Sequence, residues 1–426
     1  MQLFDILAIL IALASVFSWL NYRFLRLPTT IGLMFGALVM SIVLMALGPL
    51  AGGIEHNVRL MLNSVDFNET LLHGMLSFLL FAGALHVNLD DLAEQRWTIG
   101  ILATASVIGA TALIGFGSWW IFGLIGLDLP LMACLVFGAL ISPTDPIAVL
   151  GVLKTAGAPK SLETKITGES LFNDGVAVVV FLVLLELPPG GGDLGVAADA
   201  LKLFAIEAAG GAIYGVLLGG VAYWLLKEVD DYTVEVLITL AVTTAGYDLA
   251  EMIHVSAPIA IVVAGLLIGN HGRAFAMSDR TREHLDTFWE LVDEILNAVL
   301  FLLIGLEVLV LSLREQYLLA GLVAIPLVLL ARLISVGLPI GVMRHFRSFS
   351  PGTVTILTWG GLRGGISIAM ALSLPDSEAR TALVTVTYVI VVFAILVQGL
   401  TLGRVVRKVA ARADIELERT RLDLDE

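Results

Sequence analysis

Two groups of ionisable and hydroxyl side chains interrupt stretches that are otherwise apolar enough for lipid. One is Ser142-Pro143-Thr144-Asp145-Pro146, and the other is Glu169-Ser170 with Asn173-Asp174. A charged side chain at the centre of a bilayer costs roughly 2.5–3.5 kcal/mol on insertion scales, so such residues are rare there and mark ion or proton pathways. Helical spacing of about 100° per residue stacks Ser170 on Asp174 and Glu169 on Asn173, in adjacent stripes. Asp174 can then face a cavity while Glu169 turns toward a neighbouring helix. A dehydrated Na+ or Li+ takes hard oxygens (carboxylate, hydroxyl, carbonyl). Asp174, Ser170 and the exposed carbonyls near Thr144 are such a set. One carboxylate that holds a cation or a proton, but not both, is sufficient for exchange.

Three further charges fall in apolar stretches. Arg332 lies in Leu330-Ala331-Arg332-Leu333-Ile334 and needs an acidic partner at that depth. Glu169 is the best candidate, and the pair reads as structural rather than cation-binding. Asp145 is placed to offset the positive N-terminal end of a half-helix, and Arg363 to offset exposed carbonyl ends. Glu307, in Gly305-Leu306-Glu307, is another intramembrane acid. It could line a funnel or pair with a base, and both readings stay open.

The elements that must position these groups are membrane helices. The chain has 426 residues, of which 58% are hydrophobic and 15% charged; a soluble domain carries about 25% charged residues. Apolar runs follow one another along nearly its whole length, which is the pattern of an all-α polytopic membrane protein. Thirteen candidate spans fall at 3–22, 29–48, 68–88, 97–123, 130–154, 163–186, 199–226, 231–252, 256–272, 290–312, 316–344, 351–374 and 379–410. With the N-terminus outside, alternation puts most of the 24 Lys and Arg residues on the cytoplasmic side and leaves Arg59, Lys202, Arg314 and Arg380 outside. The first run carries Asp5 and no basic residue ahead of it, so it is expected to be an uncleaved helix rather than a signal peptide. The stretch 270–297 is the least regular, and its amphipathic part could lie on the membrane surface. The single Cys134 precludes an internal disulfide, and the formal charge of −14 argues against a nucleic-acid partner.

Two spans are expected to break near their middles. Pro143 and Pro146 each remove an amide donor from the fifth. In the twelfth, Gly360-Gly361-Leu362-Arg363-Gly364-Gly365 sets four glycines in six positions, at a matching cost in helix propensity. The breaks lie about 220 residues apart in opposite orientation. This is the pattern of inverted-repeat transporters, whose mid-membrane site forms at discontinuous helices.

The three motifs Ser142–Pro146, Gly168–Gly175 and Gly360–Gly365, in this order and spacing, resemble signatures of monovalent cation:proton antiporters, specifically the NhaP-type branch related to the eukaryotic NHE exchangers. The resemblance implies a NhaA/NhaP-like fold of thirteen helices. It would comprise scaffold helices in 1–96 and 187–315, a transport core in 97–186 and 316–410, and a charged cytoplasmic tail at 411–426. It implies that Asp174 is shared by cation and proton, that Thr144 and Ser170 add oxygens to the Na+ shell, and that Asn173 holds the crossing of the unwound chains. Glu169 with Arg332 is then the core ion pair. An Asn-Asp pair implies electroneutral one-for-one exchange, and relatives work as homodimers with an elevator-like core. Some relatives carry an acid in the third span; here Phe81-Ala82-Gly83-Ala84-Leu85 offers Ala82, which leaves Na+ selectivity open.

The expectation is therefore a Na+(Li+)/H+ antiporter of the plasma (inner) membrane, with no cofactor and no enzymatic activity, its partners being a second copy, the transported ions and lipid. The alternative within the class is a K+/H+ antiporter. An intramembrane aspartyl protease would need its two aspartates on facing helices in a Gly-x-Gly-Asp-type context, which neither Asp145 nor Asp174 has. A channel would pass current without a pH gradient.

Overall fold

The computed structural model describes residues 3–47, 54–63, 70, 74–146, 149, 150, 153, 160–187, 194–273, 276–347, 349–409 and 411. Apart from residue 411, the charged tail expected at 411–426 lies outside the described residues, as does most of the second half of the fifth span.

The described residues form helices and connections. In chain order these are α1 (Leu3–Leu20), α2 (Thr29–Leu47), α3 (Ile54–Asn63), α4 (Leu76–Leu85), α5 (Leu89–Leu124), α6 (Leu131–Ile141), α7 (Lys160–Glu186) and α8 (Leu194–Lys227). They continue with α9 (Tyr232–Met252), α10 (Ala257–Leu267), α11 (Asp279–Glu307), α12 (Glu315–Met343), α13 (Thr353–Trp359), α14 (Gly365–Leu372) and α15 (Glu378–Phe393). Each expected span falls on helix. Eight helical segments are long and apolar enough to cross a membrane, and three shorter apolar ones lie at Leu76–Leu85, Leu131–Ile141 and Ala257–Gly272.

Local chemistry sets the helix starts. The Asn88 side chain accepts the amides of Asp90 (2.8 Å) and Asp91 (3.1 Å), so α5 begins well before the expected residue 97. Asp231, Ser256, Ser278 and Ser377 cap α9, α10, α11 and α15 in the same way. Both expected breaks are present: α6 stops at Ile141, and non-helical backbone separates α13 from α14.

Two details differ from the sequence expectation. The connection after α2 contains an additional amphipathic helix, α3, which buries Met61 and Leu62. The stretch at 279–297 does not lie apart on a surface, because it is the first half of the continuous helix α11. Leu285 and Trp289 are fully buried there, and the Trp289 ring sits 4.6 Å from that of Phe81 on α4. The apolar face of this amphipathic segment is used by protein.

Helices α5, α6 and α7 pack on one another, α12 lies on α5, and α13–α15 complete that group. A second group joins α2 and α4 to α11, and α8 and α9 to α10. In the latter, Gly211, Gly215 and Gly219 bring α8 onto the backbone of α10; a Cβ at Gly215 would run into the Ala260 carbonyl. Small residues four apart allow this approach where lipid gives no hydrophobic drive for association. Contacts of α7 with α10 and of α11 with α14 connect the groups.

Candidate functional site

The site is built where the two breaks meet. Proline leaves carbonyls of the first break without helical donors, and glycine lets the second break approach closely. The Asp145 amide donates to the Leu362 carbonyl at 2.9 Å. The buried Arg363 guanidinium donates to the carbonyls of Ser142 and Pro143, the latter at 2.9 Å. Gly364, the residue before α14, abuts the Asp145 carboxylate so closely that a Cβ would collide with it. The carboxylate of Asp145 thus sits at the start of α14.

Helix α7 locks onto this crossing through its polar stripe. Asn173 Nδ2 donates to Thr144 Oγ1 at 2.8 Å, and Asn173 Oδ1 accepts the Thr144 amide at 3.3 Å. The Thr144 and Ser170 hydroxyls lie 3.1 Å apart. On the adjacent stripe, Glu169 Oε1 lies 2.6 Å from Arg332 Nη1, with both side chains buried. Glu169 Oε1 is off the donor axis and makes no aligned hydrogen bond, so attraction between charges holds the pair. Arg332 Nε also reaches the Leu357 carbonyl at 3.4 Å.

Asp174, one residue on, turns away from this network onto the wall of a cavity of about 740 Å³. It is 7% exposed, and among the described residues no donor is hydrogen-bonded to its carboxylate. Asp145 and Ala82 share that wall, whereas the Thr144 and Ser170 hydroxyls are buried behind it. The cavity runs to a rim where Lys160, 78% exposed, pairs with Asp91 at 2.8 Å. The Asp91 carboxylate holds the Lys160 ammonium above the ordinary lysine value. An aspartate on the wall of such a cavity, with no protein donor on its carboxylate among the described residues, is suited to exchanging ligands with water.

A family model described as "Sodium/hydrogen exchanger, transmembrane" matches residues 9–408. The chain belongs to the sodium/hydrogen exchanger family. It is 50% identical over 417 residues to the Na(+)/H(+) antiporter NhaP of Pseudomonas aeruginosa, covering 97% of this chain and 98% of that protein. It is 35% identical over 393 residues to the Na(+)/H(+) antiporter NhaH of Halobacillus dabanensis, covering 91% and 93%. The solved sodium proton antiporter MjNhaP1 of Methanocaldococcus jannaschii superposes with a TM-score of 0.74 at 20% identity, over 96% of this chain and 99% of that one, which shows the shared fold. Such proteins are transporters, not enzymes.

In this member of the family, Thr144, Asp145, Glu169, Ser170, Asn173, Asp174, Arg332 and Arg363 all gather within the crossing and its immediate surroundings. Glu307 does not line the Asp174 cavity; it is buried elsewhere, within electrostatic reach of Tyr388 and Arg380. Sequence reasoning missed the acidic lining of the cavity, including Asp293 and its neighbour Asn297 on α11. Their one signal was a polar pair at i and i+4 inside the stretch read as amphipathic.

Proposed function

We propose that this chain exchanges Na+ or Li+ for H+ across the plasma membrane, one for one and without net charge movement, with Asp174 as the single carboxylate shared in turn by cation and proton. The observation that carries the proposal is the placement of Asp174: its carboxylate lines the cavity, while the neighbouring Asn173 and Glu169 are held in the crossing and the ion pair. Either a cation or a proton neutralises this carboxylate, and the neutral state is the one that can leave water and pass the apolar surface of the second helix group. A charged, empty Asp174 pays desolvation and does not cross, which is what couples the two fluxes.

The moving body is α5–α7 with α12–α15, corresponding to 97–186 and 316–410, against a scaffold drawn from 1–96 and 187–315 of a homodimer. With the N-terminus outside and the C-terminus cytoplasmic, the rim at Asp91 and Lys160 would face the cytoplasm, and the cavity would be the inward-open one. The relatives NhaP and NhaH, both named Na(+)/H(+) antiporters, favour Na+. Ala82 on the cavity wall favours a second reading, K+/H+ exchange, because no carboxylate enters from α4 and water must complete the shell. Proteoliposome exchange with Na+, Li+ and K+ under clamped voltage tests both. Exchange of Na+ and Li+ that is indifferent to voltage supports the proposal; exchange that follows the voltage overturns its stoichiometry, and a preference for K+ overturns its substrate.

A further inference from the structure

The wall that α11 supplies to the cavity carries Glu290, Asp293, Glu294, Asn297 and Leu300, one face of a helix at spacings of three and four. Asn297 is 3% exposed, and its Nδ2 donates to the Asp293 carbonyl at 2.9 Å. That bond fixes the amide orientation, since the flipped form would set oxygen against oxygen. Asn297 Oδ1 is left with no hydrogen-bond partner, although it is buried. An unpaired acceptor at such depth is unfavourable unless something donates to it or coordinates it. One turn away, the half-buried Asp293 carboxylate lies within electrostatic reach of Asp145 across the cavity. Lys160 is the one Lys or Arg among the described residues lining the cavity, and its ammonium is already paired with Asp91. A buried, unpaired amide oxygen in the wall and a half-buried carboxylate one turn away, beside an acidic cavity, fit a hard monovalent cation and repel an anion.

We infer that Asp293 and Asn297 form a second cation site, a staging position on α11 from which a Na+-like ion passes to Asp174 on α7. The inference rests on the proposed function for its direction of traffic. It places the staging oxygens on one helix group and the transport carboxylate on the other, so the two sites are neighbours only in the state seen here. The ion held at Asp293 lowers the repulsion between the cavity carboxylates and raises the local cation concentration at Asp174.

The test is equilibrium binding of radiolabelled Na+ to the purified full-length protein in detergent, with melting temperature as the folding control. Asp174→Asn is expected to keep one saturable, weaker Na+ site, which the further change Asp293→Asn removes. In the otherwise unaltered chain, Asp293→Asn is expected to raise the Na+ concentration for half-maximal exchange from the cavity side by about tenfold, the Coulomb effect of one charge lost at contact distance in a wet cavity. Asn297→Val, which deletes the oxygen without altering charge, should weaken the residual site of the Asp174→Asn protein as well. If Asp174→Asn binds no Na+, Asn297 is satisfied by water alone and the inference is overturned, while the shared role of Asp174 stands. Residual binding indifferent to both α11 changes overturns it equally. Exchange persisting in Asp174→Asn would instead refute the proposed function.

Discussion

Removing Arg332 and removing Glu169 should not cost the same. The two side chains meet at 2.6 Å in the interior, and breaking a buried pair by deleting one partner typically costs about 3–5 kcal/mol, because the other charge is left uncompensated. Arg363, fully buried at the crossing, interacts electrostatically with both Arg332 and Glu169. Glu169 is therefore one anion serving two guanidinium groups. After Arg332→Ala, Glu169 still has Arg363 nearby, so the loss should fall near the lower end, about 3 kcal/mol. After Glu169→Gln, two buried cations repel each other without the anion they share, and the loss should approach about 5 kcal/mol or more. Thermal unfolding in detergent, with both variants in one buffer, gives the order directly. Replacing both charges together, Glu169→Gln with Arg332→Met, should recover part of the loss, since an apolar substitute avoids the desolvation cost that the pair offsets. An unchanged melting temperature for Arg332→Ala, or a loss equal to or greater than that of Glu169→Gln, would refute the assignment of Glu169 as the shared counterion.

Asp174→Asn should abolish Na+-driven proton movement in vesicles while leaving the melting temperature no lower than a few degrees below that of the unaltered chain, as no hydrogen bond among the described residues holds its carboxylate and its charge meets only the like charge of Asp145; robust dequenching of a ΔpH dye in that variant would count against the shared carboxylate. Because protons and cations compete for one group, the Na+ concentration for half-maximal exchange should rise as pH falls, by roughly tenfold per pH unit once the site is mostly protonated; a concentration independent of pH would exclude direct competition. Asn173→Ala deletes two hydrogen bonds to Thr144 and leaves a buried hydroxyl and amide short of partners, so it should destabilise the crossing by about 1–3 kcal/mol, measured by unfolding in detergent. Gly364→Ala drives a methyl group into the Asp145 carboxylate, and a strongly reduced yield of folded protein is expected, whereas Gly220→Ala, which faces open space, should be neutral.

Chemistry carried by local sequence was legible without coordinates. The prolines and glycines that interrupt the fifth and twelfth spans break helices wherever they occur, so both discontinuities could be placed to within a turn. Helical spacing alone separated Asp174 from Glu169 onto different faces, and the structure shows those faces as cavity wall and ion pair. Expense decided the partner of Arg332: a guanidinium in an apolar span requires an anion, and few are available.

Other features needed the tertiary arrangement. No spacing indicates that Arg363 would donate to the Ser142 and Pro143 carbonyls, more than 200 residues away in the chain, since the crossing exists only after both breaks pack. The amphipathic stretch ahead of residue 297 had an apolar face suited equally to lipid headgroups or to protein; the aromatic side chains of α4 decided for protein. Nothing in the spacing gave its polar face a role. Only the meeting of α11 with α4 and α14 turned that face into the wall of the Asp174 cavity. Charge, hydropathy and backbone preference act within a few residues and can be read along the chain, whereas a cavity is the space that distant helices fail to fill, and its shape belongs to the packing.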